Sequence, residues 1–356
     1  MIPQSGRVRA AAGLGLLLCV LVAVPSALLA SVSPSLQQTV LVTMASLILV
    51  VSLYIFSGNS GVLSFGHLAL AMVGGYTGAI TSIESETKEL LYPGMWGPLQ
   101  NVHFGQVGAI LAGGVAAALA GAVLALLLAR LSGLTAGLAT FVVLLIAVSV
   151  ATGLEPVTNG SSGLTDVARI TEYGQVLPWT LVAVLTAAAY QASRSCQRLR
   201  ASREDEVAAA SVGVNVQRER TVGFICSAAV AGMGGAVYVQ VIGTVSPTLF
   251  YLALTTTIIA MLVIGGIGSL TGAVIGTLAI AVLNETMNRL ENGIVFSTWM
   301  VKSPAGLQQV CLAVAMLLIL MWRPEGLMRG RELSVRWRGR RPRVDELNSI
   351  NSRSAA

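Results

Sequence analysis

Ten apolar segments, each nearly free of charge, recur along this chain and dominate what it can fold into. They run at about 11–30, 36–56, 64–82, 105–129, 135–152, 177–193, 221–241, 250–265, 270–283 and 307–322. Most approach the roughly 17–25 residues a helix needs to cross a bilayer. Backbone in hydrocarbon must satisfy its own N–H and C=O groups, so such segments are helices. The expected fold class is an all-α polytopic membrane protein with about ten transmembrane helices. Only 11% of the residues are charged, against about 25% in a soluble domain. Charge cannot cover such a surface, so lipid is the solvent to expect. The 38 glycines suit helices that approach one another closely.

The connections give an orientation. With the N-terminus in the cytoplasm, 18 of the 22 basic residues fall on inside segments and 4 (Lys88, Arg169, Arg289 and Lys302) outside. That asymmetry follows the positive-inside tendency. An even number of spans puts both termini inside. Residues 1–10 then form a cytoplasmic N-terminus, 11–322 the transmembrane domain and 323–356 a basic cytoplasmic tail. The first apolar run could also be a signal peptide. Its length, and Pro34 beside the nearest small-residue cleavage site, favour a retained span. The tail stretch 329–343 suits anionic lipid headgroups rather than nucleic acid. The longest outside loop, 83–104, has two readings: an interfacial aromatic belt around Tyr92 and Trp96, or a lip that receives another protein.

The charged interruption 194–220 stands apart. Ser202 has the chemistry of a helix cap, and Asp205 follows at capping-box spacing. Glu204, Asp205 and Glu206 suit the first turn of a helix. Ala208 and Ala209 continue it, and Gly213 suits the stop. The spacing predicts a helix from Ser202 to Gly213, about 15 Å long. It is too short and too polar to span a bilayer, and as a helix held between two spans it is a handle for a partner.

The chemistry that is missing is also informative. The chain has two lysines, neither following a glycine, so it carries no GxxxxGK[ST] phosphate loop. It has no HExxH or GxSxG motif, and its histidines are His67 and His103. The four cysteines lack metal-ligand spacing and read as buried thiols. No cofactor is expected on this chain. Charge is nearly absent from the spans, Glu285 beside Asn284 near the outer end of its helix being the one candidate, and this argues against a proton-driven carrier.

Two glycine-rich breaks interrupt the apolar pattern. At 57–67, Asn59, Ser64 and His67 are polar, and Gly66 frees the backbone. Either this is a tight cytoplasmic hairpin, or a discontinuous helix presents amide groups to an anionic substrate. Spacing alone favours the hairpin. At 265–276, Gly268, Gly272 and Gly276 recur every four residues and predict one smooth packing face, with a bent or mobile helix as the alternative.

These stretches resemble the permease subunits of branched-chain amino-acid ATP-binding-cassette (ABC) importers, in particular the larger, M-type subunit. The family segment G-Y-x-G-x-x-S-x-G-H is matched from Gly58 to His67, with Asn59 in the aromatic position, followed by Gly74, Gly75 and Tyr76. Residues 158–164 are similar to T-G-G-x-x-G-L, and 203–215 to the family's coupling segment. Ser246-Pro247, GGIGS at 265–269 and RPEGL at 323–327 follow in order. The resemblance implies a type II-like importer permease in a bacterial plasma membrane. It implies a second homologous permease, two cytoplasmic ATPase subunits that use ATP and magnesium, and an extracytoplasmic binding protein. Leucine, isoleucine or valine are the implied substrates. Relatives in the broader family move urea, amides, sugars or nucleosides, and a self-sufficient secondary carrier is the rival reading.

Overall fold

The computed structural model describes residues 4–30, 34–128, 131, 133–292, 294–296, 299–301, 306–323, 326–328 and 332. The basic stretch 329–343 thus lies almost wholly outside the described residues. In chain order the elements are α1 (Gln4–Ala30), α2 (Pro34–Leu53, continued by a π-turn over Tyr54–Gly58), α3 (His67–Ser82), α4 (Ser85–Leu91), α5 (Gly97–Gln100), α6 (Gln106–Leu128), α7 (Gly133–Gly153), α8 (Glu155–Thr158), α9 (Tyr173–Ala192), α10 (Arg194–Glu204), α11 (Glu206–Ser211), α12 (Val216–Ile242), α13 (Leu252–Gly265), α14 (Leu270–Asn292), β1 (Ile294–Phe296), β2 (Trp299–Val301) and α15 (Leu307–Trp322).

All ten apolar segments are helical. Among the described residues, six helices are long and apolar enough to cross a membrane, or seven if α9 and α10 count as one bent span. The three apolar helices outside that count are α1, α3 and α15. Among the described residues the apolar parts of α1 and α15 are Gly13–Ala27 and Gln309–Ile319, and α3 has 16 residues. The antiparallel pair β1–β2 departs from the all-helical expectation.

α12 is the axis of the bundle, with α2, α3 and α6 packed along it. α2 runs antiparallel to it. Gln38, near the start of α2, donates to the Val241 carbonyl at 3.4 Å, and Phe56, just past its end, meets Phe224 edge to face. α3 runs parallel to α12: Gly74 lies against Gly232 and Gly78 against Ala236. A Cβ on Gly232 would collide with Ala117 and the Gly113 carbonyl of α6. Absent side chains at 74, 113 and 232 therefore set the spacing of three helices.

The α13–α14 hairpin uses the same device, with a correction. Cβ atoms at Gly265, Gly272 and Gly276 would each meet backbone of the facing helix. Gly268, expected on that face, sits in the turn ahead of α14. Its place is taken by Gly265 of α13.

The outward faces of α6 and α7 are apolar and exposed, with Leu111, Val115 and Leu119 on one and Leu134, Leu138 and Val142 on the other. Apolar exposure of this extent belongs to a surface covered by lipid or another apolar surface. Opposite the α11 end, the loop 83–104 folds into α4 and α5 instead of an aromatic belt. Tyr92 is buried, and its hydroxyl accepts the Thr165 N–H at 2.7 Å. Lys88 is buried too, donating to the Leu99 and Val102 carbonyls at 3.2 and 2.5 Å. Burial pushes its ammonium pKa below the ordinary value. Trp96 alone of the loop's aromatic pair is exposed.

Candidate functional site

α9 ends at Ala192, and the chain bends by 68° into α10. Ser193 makes the corner, its Oγ accepting the Cys196 N–H at 3.1 Å. Cys196, Leu199 and Ser202 recur every three residues and turn one face of α10 inward, where all three are buried.

That inward face corrects the expected helix start. Ser202 lies inside α10, and its Oγ donates to the Leu199 carbonyl at 2.7 Å. The cap is Asp205: its backbone is extended, and Oδ1 accepts the N–H groups of Val207 and Ala208, each at 2.9 Å. Serine and aspartate are both good caps; burial of an unbroken α10 face chose between them. The free-standing helix is thus α11, with 6 residues. Gly213 ends it with φ +83°, a left-handed conformation that glycine adopts without penalty. The Gly213 and Val214 N–H groups return to Ala210 and Ala209 at 3.0 and 3.1 Å.

The side chains of α11 divide in two. Ala209 is buried, whereas Ala208 and Ala210 are exposed. Val207 and Val212 are 80% and 79% exposed, an apolar pair that the sequence argument missed. Glu204, at the end of α10, is exposed. Glu206, at the start of α11, turns back toward the bundle. It grips Arg220 of α12 through two oxygens, at 2.9 and 3.3 Å, and the Arg220 side chain is only 9% exposed.

α10 is stapled to the break after α2. Arg200 donates through Nε to Asn59 Oδ1 at 2.7 Å and through Nη2 to the Tyr54 hydroxyl at 3.0 Å. Arg203 donates to the Gly58 carbonyl at 2.9 Å. Cys196 Sγ donates to the same Asn59 Oδ1 at 3.2 Å. Burial pushes that thiol up to about 11, partly offset by the Arg200 charge, so at neutral pH it stays protonated and able to donate. Tyr54 donates in turn to Glu332 at 3.4 Å. The Glu332 carboxylate also accepts from Gln191 Nε2 at 2.7 Å, from the Leu270 and Thr271 N–H groups at 2.9 and 3.3 Å, and from Thr271 Oγ1 at 2.9 Å. A negative charge on the open N–H groups of α14 is favourable there.

The break itself is a buried hairpin, since α2 and α3 run in opposite senses along α12. His67 is 1% exposed, with Nδ1 2.8 Å from Ser64 Oγ and Nε2 2.8 Å from Ser227 Oγ. Ser227 spends its single hydroxyl hydrogen on the Phe224 carbonyl, so Nε2–H donates to Ser227 and Nδ1 accepts from Ser64. Both ring nitrogens are satisfied, with Phe56 stacked on the ring and Phe224 at its edge. Gly66 is buried where a Cβ would come within 2.9 Å of the Thr140 carbonyl oxygen. Of the residues expected on a substrate path, Ser64, Gly66 and His67 therefore hold the helices together here, and Asn59 anchors α10.

Among the described residues there is no group of three or more histidine, cysteine or acidic side chains able to hold a metal. What the geometry offers is a short apolar handle braced to several helices. Comparison of the sequence with known families gives the class: the chain is a membrane permease component and not a catalyst. More narrowly, residues 35–321 match the family described as branched-chain amino acid transport system / permease component, and the chain belongs to that family. It is 32% identical over 128 residues to the high-affinity branched-chain amino acid transport system permease protein LivM of Escherichia coli (strain K12). LivM of Salmonella typhimurium is similar at the same identity and length. The matched stretch is 36% of this chain and 27% of each relative, about a quarter of their length. No solved structure matches the chain.

Proposed function

We propose that this chain is one permease subunit of an ATP-driven importer of small aliphatic amino acids, leucine, isoleucine or valine among them. The observation that carries the reading is the α11 handle. Exposed Val207, Ala208, Ala210 and Val212 offer a partner an apolar grip. Glu206–Arg220 ties that grip to α12, and Arg200 and Arg203 tie the adjoining α10 to the turn before α3.

In this reading the α11 end is cytoplasmic, as the distribution of basic residues suggests, and the ten apolar helices all serve as spans. Two cytoplasmic ATPase subunits, using ATP and magnesium, grip α11 and move it. The motion reaches α12 through Arg220 and the α2–α3 turn through Arg200. A second homologous permease covers part of the apolar exterior, and an extracytoplasmic binding protein delivers substrate at the α4–α5 end.

The test is to tag the chain, extract it gently from native membranes and identify what accompanies it. Recovery with a homologous permease and two ATPase chains is expected. Recovery alone, with substrate flux persisting in ATP-free vesicles, would overturn the reading in favour of a self-sufficient carrier.

A further inference from the structure

α2 does not end as an ordinary helix. After Leu53 it widens into the π-turn Tyr54–Gly58, with all five residues buried. Asn59 and Ser60 then resume the helix before Gly61 ends it at φ +74°. A π-turn holds one residue more than an α-turn, and such single turns are frequent where a helix has a working part. The extra residue leaves carbonyls in the turn without their regular donor. Asn59 supplies one: its Nδ2 donates to the Ile55 and Tyr54 carbonyls at 2.9 and 3.4 Å. Gly58 makes room for the Tyr54 ring, which a Cβ there would meet at 2.5 Å.

The other end of the same amide holds α10, through Oδ1. Arg200 reaches side chains at both ends of the turn at once, Tyr54 at its start and Asn59 just past its end. Arg203 takes the Gly58 carbonyl between them. The wide turn is thus clamped from outside α2 by a single helix. Each residue of an α-helix turns it by about 100° and lengthens it by about 1.5 Å. Closing the turn to α geometry would therefore rotate Asn59 away from α10. The displaced residue has somewhere to go, because residues 62–64 are not helical and can take up the slack while α3 stays in place.

We propose that Tyr54–Gly58 is a two-state joint, held wide by Arg200 and Asn59 and closing by one residue when α10 withdraws. It turns a graded movement of α10 into a discrete step at the end of α2. That the handle drives this step rests on the permease reading; the step itself rests on the geometry of the turn.

The test uses the full-length chain in lipid nanodiscs with selective isotope labelling. Tyr54–Ile55 and Gly58–Asn59 are each the sole pair of their kind in the sequence, so a 13C carbonyl on one residue type and 15N on the next give one NMR correlation from each end of the turn. Tyr238–Val239 of α12, also a sole pair, is the control. Deleting Ser57 removes the extra residue and marks the closed position. Arg200→Ala should move both correlations at least half of the way to that position, as a shift along one line or as a second peak at its end. Arg200→Lys should move them less. Asn59→Ala should move the Tyr54–Ile55 correlation along the same line, and the control should stay. A staple with no second state would instead send each variant to a position of its own. Scattered positions, an unmoved Arg200→Ala signal, or movement of one end without the other would overturn the joint. If the deletion variant does not fold, a second position shared by Arg200→Ala and Asn59→Ala decides in its place. The measurement needs no ATPase, so the two readings fail separately. Co-purifying ATPases with a fixed turn removes the joint and keeps the permease. A two-state turn without ATPases keeps the joint and removes the importer.

Discussion

The chain breaks its apolar pattern twice near the α11 end, and the two breaks are held by opposite means. At 57–67 the turn is polar and held by side chains: Asn59 receives Arg200 and Cys196, the Gly58 carbonyl receives Arg203, and His67 bridges Ser64 and Ser227. At 265–276 the turn is held by backbone. Gly265, Gly272 and Gly276 let α13 and α14 touch, and the Leu327 and Met328 N–H groups donate to the Ile264 and Gly265 carbonyls. A polar staple can be re-formed in a shifted position, since its donors sit on long flexible arms. A glycine contact has one closest approach and no slack. The first break therefore suits the part that follows the handle, and the second suits a fixed frame. Glu332 joins them, touching Tyr54 in one and the start of α14 in the other.

Substitutions can break or sharpen this contrast. The largest effect is expected from Gly276→Val, whose side chain would collide with the Met261 carbonyl. Such overpacking should cost about 3 kcal/mol or more. The check is the monodisperse fraction after detergent extraction, which should collapse; wild-type yield would show that the second break has slack after all. Next is Arg200→Ala, which removes two charge-assisted hydrogen bonds from the first break. A loss of about 2 kcal/mol in thermal or denaturant unfolding is expected. In the assembled importer, ATPase activity should become independent of substrate, and an unchanged response would detach α10 from the mechanism.

Glu332→Gln keeps the shape of the cap but removes its charge from the N-terminus of α14. It should cost about 1.5 kcal/mol, read as a lower unfolding midpoint. The same loss in an Arg200→Ala background would show that the two breaks act independently; a smaller one would show coupling through Tyr54. The smallest effect belongs to Gly213→Ala. Nothing lies within 4 Å of the new Cβ, so the cost is the left-handed backbone alone, about 1 kcal/mol. It should appear as faster hydrogen exchange in α11 amides, with the global midpoint almost unmoved.

Much of this was legible in the residues. The ten apolar runs gave ten helices, and Gly272 and Gly276 announced a close contact, because both depend on spacing along a single helix. The handle was legible as a charged interruption, but its start was not. Ser202 and Asp205 offer the same capping chemistry three residues apart, and only the buried Cys196–Leu199–Ser202 face shows that α10 continues past the serine. The Glu206–Arg220 pair was not legible, because Arg220 lies 14 residues on, beyond the reach of local spacing rules. What holds the polar residues of the first break was not legible because their partners are remote: Arg200 is 141 positions from Asn59, and Ser227 is 160 from His67.

By itself the sequence determined the helices, their apolar character, the close-packing role of Gly272 and Gly276 and the presence of a handle, since hydrophobic period and side-chain size are local properties of the chain. Only the tertiary structure decided what the handle is tied to, which carboxylate caps α14, and that Arg200 reaches both ends of the π-turn. Those outcomes depend on which helices lie side by side. The pairing is set by the packing of the whole bundle around α12, and it leaves no trace in the spacing of any one segment.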